Sequence, residues 1–230
     1  MRSISMPMLM ASRAWEATVF KTHEEHGNEA ADRVLARQFS FLLLVALPVV
    51  VTMCAANDTV ASIFFDQSFR ADVARHLPFL AIASFLAGLQ GGYFALPFMI
   101  GRKTLIQLIV TAGVTAAHGI ISVALILGFG GIGASLAFLV SMVLAIGFYI
   151  LVGRSIRPVR APWREVRAGL AAAGVMLPFA LAADHAGSLA AALVLLAAGS
   201  VTFLAALLLL RQDAAMRVVR RLSSRLIGSR

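Results

Sequence analysis

Apolar residues fill long unbroken runs along this chain, and short polar stretches separate the runs. Gln38 to Asn57 (QFSFLLLVALPVVVTMCAAN) carries no charge. At 1.5 Å per helical residue, a run of that length crosses roughly 30 Å of hydrocarbon. Leu77 to Gly101 is a second such run. From Thr104 to Gly153 there is no Asp, Glu, Lys or Arg at all, a stretch too long for a single crossing. Its one dense group of helix-breaking residues is Gly128, Gly130, Gly131 and Gly133. The pattern therefore predicts two helices there, about 104–127 and 132–152, joined by a tight turn. Glycine takes positive φ at little steric cost and lets helix backbones approach closely. Ala168 to Ala183 and Ala186 to Leu210 predict a fifth and a sixth helix, with Asp184 and His185 as the polar tip between them. The expected fold class is all-α: a polytopic membrane bundle of six transmembrane helices over 38–210. A cytoplasmic amphipathic lead-in (1–37) precedes it and a basic cytoplasmic tail (211–230) follows.

Composition agrees. Hydrophobic residues make up 60% of the chain and charged residues 13%, against roughly 45–50% and about 25% in soluble domains. The formal charge of +9 would suit a nucleic-acid partner, but its placement gives another meaning. Eighteen of the twenty Lys and Arg residues fall before span one, at Arg102 and Lys103, between spans four and five, or in the tail. Only Arg70 and Arg75 occupy the alternate connections. Short cytoplasmic loops collect basic residues, so the count implies both termini in the cytoplasm and membrane lipid, not nucleic acid, as the partner.

The ends carry further patterns. HGNE at 26–29 breaks the helical pattern of 6–26. Asn28 is a candidate cap for a helix that runs into span one, with Glu29 and Asp32 in its first turn. In the tail, Val218, Val219, Leu222 and Leu226 share one face and the arginines the rest, as in a helix lying on anionic lipid. No removable signal peptide is read at the start. The lone Cys54 lies in an apolar run and implies packing, not a disulfide.

The glycines of LGFGGIGAS match G-x-G-x-x-G, which elsewhere wraps a dinucleotide pyrophosphate. That motif needs a preceding strand and an acidic residue about 20 positions on; here the first acid after the glycines is Glu165. No zinc spacing, nucleophile elbow, Walker loop or carboxylate pair is present, so no enzyme, cofactor or metal is expected. The candidates for function are polar or distorting residues at membrane depth. His118 sits mid-span, where an ionisable group suggests a proton relay or a contact to an anionic substrate. The alternative is a neutral imidazole bonded to a neighbouring helix, with Thr115 or Ser122 one turn away. Gln90 and Tyr93 could face an aqueous cavity, beside a Gly88/Gly92 pair suited to close packing. Arg102 and Lys103 could meet phosphate. Pro48 and Pro97 each remove a helix hydrogen bond and favour hinges.

Several segments line up in order: PMLMASRAWE at 7–16, LLLVALPVVV at 42–51, LPFLAIASFLAGLQGGYFALPFMIGRKT at 77–104 and LILGFGGIGASLAF at 125–138. Together they resemble the later part of polysaccharide and lipopolysaccharide (O-antigen type) flippases of the multidrug/oligosaccharidyl-lipid/polysaccharide exporter superfamily. Gly130, Gly133 and Ala134 match that family's G-x-x-G-A turn. Members have twelve or fourteen spans in two lobes, and the six here are similar to the last six of fourteen. Where the family has Asn in span three, this chain has His118. The resemblance implies translocation of a polyprenyl-linked oligosaccharide for cell-surface polysaccharide or lipopolysaccharide biosynthesis in a bacterial inner membrane. It also implies a missing N-terminal lobe or partner subunit. A noncatalytic membrane scaffold or assembly subunit is the competing expectation.

Overall fold

The computed structural model describes residues 2–157 and 162–210, together with Met216. The tail pattern around Val218 and Leu222, and Arg160 in the connection between spans four and five, lie outside the described residues. Among the described residues of 2–210, eight α-helices follow one another: α1 (Arg2–Ala55), α2 (Asn57–Phe64), α3 (Arg70–Leu89), α4 (Leu96–Ile100), α5 (Thr104–Phe129), α6 (Gly131–Ile156), α7 (Trp163–Asp184) and α8 (Leu189–Leu209). Among the described residues there is no strand. Among the described residues six helical segments are long and apolar enough to cross a membrane, and the protein is a multi-pass, all-helical membrane protein.

The spans lie side by side in the order α5, α6, α3, α1, α7, α8, each packing mainly on its neighbours in that row. α1 is central. Its Leu35, Phe39, Leu42, Leu43 and Leu47 meet Leu89, Tyr93 and Leu96 on one flank and Ala172, Met176, Phe203 and Leu207 on the other. Between lipid-immersed helices the driving force is close packing, which small residues permit. Gly169 accordingly lies where a Cβ would stand 2.9 Å from Leu47, and Gly199 where one would stand 2.9 Å from Phe179.

The helices outrun their apolar cores. α3 starts at Arg70, not Leu77, and α7 at Trp163, not Ala168, because polar residues at a helix end reach water without ending the hydrogen-bond ladder. The lead-in and span one form one element: α1 departs from helical angles only at Gly27 (φ 75°, ψ −169°), inside the expected break, and continues through Pro48. Pro48 is therefore no break in the helix. Span two stays helical from Arg70 to Ile100 but changes its winding, differently from the expected proline kink. Gln90–Phe94 forms a π-helical turn between α3 and α4, and Pro97 sits in the first turn of α4. A proline cannot donate to the ladder, and the widened turn upstream absorbs that loss.

The turn at LGFGGIG is the expected helix hairpin. Gly130 has φ 62° and ψ −142°, open only to glycine at low cost. Gly133 lies so close to α5 that a Cβ would stand 2.7 Å from the Ile126 nitrogen and closer still to the Leu125 carbonyl. Gly128 and Gly131 are different: Gly128 is inside α5 with open space beside it, and Gly131 begins α6. Only two of the four glycines make the turn.

Two sets of contacts fasten the helices at their two ends. At one end Asp184 Oδ1 accepts the Thr59 N–H (2.9 Å), and Thr59 Oγ1 donates to the Ala183 carbonyl (3.1 Å). The α7–α8 tip thus supplies a carboxylate to an orphan donor at the N-terminus of α2, where the helix dipole favours negative charge. His76 joins Ser135 at the same end (Nδ1 to Oγ, 2.7 Å), near the Gly130 turn. At the other end Arg157 donates from Nη2 to Asp32 Oδ1 (2.7 Å) and to the Asn28 carbonyl (3.1 Å), fastening α6 to α1. Cys54 is a free thiol with Sγ 3.7 Å from the Pro78 carbonyl, as its packing role requires.

Candidate functional site

The α5–α6 pair carries the best candidate. Gln107, Thr111, Thr115, His118 and Ser122 recur along α5 at intervals of three and four residues, which places them on one face of a helix. Threonine and serine tolerate a membrane helix because their hydroxyls can bond the preceding turn. Here Thr111 Oγ1 donates to the Gln107 carbonyl (2.8 Å) and Thr115 Oγ1 to the Thr111 carbonyl (2.9 Å).

α6 answers the stripe at two points. Tyr149 OH lies 2.8 Å from Thr111 Oγ1. Since the Thr111 hydrogen is committed to Gln107, the tyrosine is the donor. His118 Nδ1 lies 2.8 Å from Ser141 Oγ, and Ser141 itself donates to the Ala137 carbonyl (2.6 Å). The serine hydrogen being taken, its oxygen accepts and His118 Nδ1 is the donor. Phe138 closes one side of the ring edge-on, at a centroid distance of 6.2 Å. The bond to a neighbouring helix is present, then, but its partner is Ser141 and not Thr115 or Ser122.

The seam is open. Val114 is the only residue of α5 that is buried, while Thr111 and Thr115 are exposed and His118 is half-buried. Polar groups on a transmembrane helix face protein or water in preference to lipid. This face can therefore line an aqueous path or receive a further helix.

The other sequence candidates lie elsewhere. Tyr93 is 3% exposed, packed against Phe39 (4.7 Å) and Phe94 (5.2 Å), so it faces the core and not a cavity. Gln90 opens the π turn and is half-buried. Arg102 and Lys103 are exposed, and Arg102 adopts φ 54° in the sharp connection between α4 and α5. The structure does not bring them to His118: their neighbours are at the Arg157 end, where a Cβ on Gly101 would stand 2.5 Å from Ile156. Among the described residues no group of His, Cys, Asp and Glu could hold a metal.

Sequence reasoning missed Gln38. It is fully buried, and its Nε2 donates to the Gly92 carbonyl at 2.7 Å, a carbonyl of the π turn. Its place at the edge of an apolar run was the available signal. The chain matches no protein-family profile, no curated protein and no solved structure.

Proposed function

We propose that the chain is part of a flippase that moves a polyprenyl-linked oligosaccharide across a bacterial cytoplasmic membrane for cell-surface polysaccharide or lipopolysaccharide synthesis. The reading rests on the likeness of its sequence segments to that family, and the open polar seam of α5 is the observation that carries it. A stripe of hydroxyl, amide and imidazole groups at membrane depth suits a hydrophilic head crossing while its lipid tail stays in hydrocarbon. It also suits a second helical lobe, in the same polypeptide or a partner, that completes the path. No covalent step is involved.

The functional test uses His118 in the chain co-expressed with an N-terminal lobe of a flippase, with surface polysaccharide as readout. His118→Leu leaves Ser141 bonded to Ala137, so no orphan donor is created and abundance should hold. Export should fall by about tenfold, the worth of one buried hydrogen bond. His118→Asn keeps a polar group and should stay within about twofold. Full export in the leucine variant overturns the assignment.

Orientation follows from the basic residues. Both termini lie in the cytoplasm, so the α2–α3 connection faces outward. In a Cys54→Ala background, a cysteine at Ser68 should react with an impermeant thiol reagent added to intact spheroplasts, and one at Ser155 should not. Both positions are exposed. Labelling at 155 alone would invert the topology.

A further inference from the structure

A cavity of about 160 Å³ lies where α1 meets the start of α7, lined by Arg33, Ala36, Arg37, Ser40 and Glu165. Arg33 and Arg37 are one helical turn apart, so both guanidinium groups reach the same space. Glu165 stands in the first turn of α7, where the helix dipole attracts negative charge. Among the described residues neither arginine is in an ion pair, and the buried Glu165 Oε2 has no hydrogen-bond partner. Two cations and an anion thus face one cavity without closing on each other. A buried carboxylate oxygen left unbonded is costly, so the arrangement asks for a ligand that offers negative charge to the arginines and a charged donor to the glutamate.

The location says which ligand. Gly169, one turn further along α7, packs on Leu43 and Leu47 of α1, so the cavity sits just beyond the apolar packing of the spans. Trp163, two residues before Glu165, is 68% exposed, and tryptophan marks the headgroup level of a bilayer. Basic pockets between transmembrane helices at that level hold lipid phosphates.

We infer that the cavity between α1 and α7 binds the headgroup of a phospholipid whose phosphodiester is followed by a primary ammonium, as in phosphatidylethanolamine. The phosphate oxygens accept from Arg33 and Arg37, and the ammonium donates to Glu165 Oε2. This site is separate from the α5 seam and independent of the flippase reading.

The test measures retained lipid by native mass spectrometry, and thermal midpoint, for the full chain purified in detergent and supplied with phosphatidylethanolamine, phosphatidylglycerol or phosphatidylcholine. Ethanolamine lipid should be retained about tenfold better than choline lipid, whose quaternary nitrogen has no N–H to donate. Glu165→Gln should erase that preference, and Arg33→Gln/Arg37→Gln should lower retention of all three lipids. Glu165→Gln keeps side-chain volume, the two arginine substitutions shorten side chains that are exposed, and circular dichroism checks that both variants fold. Soluble phosphoethanolamine at the same concentration should leave the midpoint unmoved; if it stabilises the chain and the lipid does not, the lipid source is wrong. Equal retention of the three lipids, or an ethanolamine preference that survives Glu165→Gln, overturns the site.

Discussion

Gly133→Ala should lose most of the folded protein from the membrane, and Gly133→Val all of it. The added Cβ would stand 2.7 Å from the Ile126 nitrogen and nearer to the Leu125 carbonyl. These are backbone atoms of α5, so no rotamer change relieves the overlap and the hairpin must part. Overpacking a core with a flexible neighbour costs about 1–3 kcal/mol; a clash with helix backbone belongs at or above about 3 kcal/mol on that scale. Gly130→Ala should be milder, about 1–3 kcal/mol, the strain of a side chain at φ 62° and ψ −142°, a backbone region essentially confined to glycine. Gly128→Ala meets nothing within 4 Å and should be neutral or slightly stabilising, since alanine is the better helix former. Size-exclusion profiles and thermal midpoints in detergent give the order. If Gly128→Ala is as damaging as Gly133→Ala, close approach is not what the glycine provides.

The second large effect is expected at Gln38. Gln38→Ala removes the donor to the Gly92 carbonyl and opens a hole beside α3, and should cost about 2–4 kcal/mol from the unsatisfied acceptor and the lost packing together. Gln38→Met fills the space without the bond and should cost about half of that. Gln38→Glu should recover stability where its carboxyl is protonated, since the acid O–H can then donate to Gly92. The midpoint of Gln38→Glu should therefore rise as pH falls. Alanine and methionine variants of equal stability would show that packing alone matters here.

The six spans were legible because an unbroken apolar run is a strong, local signal, and the hairpin was legible because Gly130 and Gly133 interrupt a stretch with no charge. Helix ends were not. Arg70 to His76 and Trp163 to Arg167 are polar enough to look like connections, yet nothing in them stops a helix. The π turn of Gln90–Phe94 has no periodic signature, since one extra residue per turn over five residues leaves no pattern to count. His118 could be singled out from its depth alone. Its partner Ser141 could not, because the pairing depends on how α5 and α6 rotate against each other. The same holds for Asp184 with Thr59 and Arg157 with Asp32, each separated by 125 positions. The stripe of Gln107, Thr111, Thr115, His118 and Ser122 was written in the spacing, but its meaning depends on α5 ending the row on one side.

That row gives the chain an order of construction. Translation releases residues from the N-terminus onward, so α1, the centre of the finished row, enters the bilayer before either of its neighbours exists. The α5–α6 and α7–α8 hairpins can each close soon after they are made, from contacts near in sequence. α1 receives its α7 flank only when the later hairpin arrives, and the Thr59 amide waits the same interval for the Asp184 carboxylate. Of the six spans described, the most deeply packed thus waits longest for its full cover, and the Thr59–Asp184 clasp marks the moment at which the ribosome has delivered enough chain to supply it.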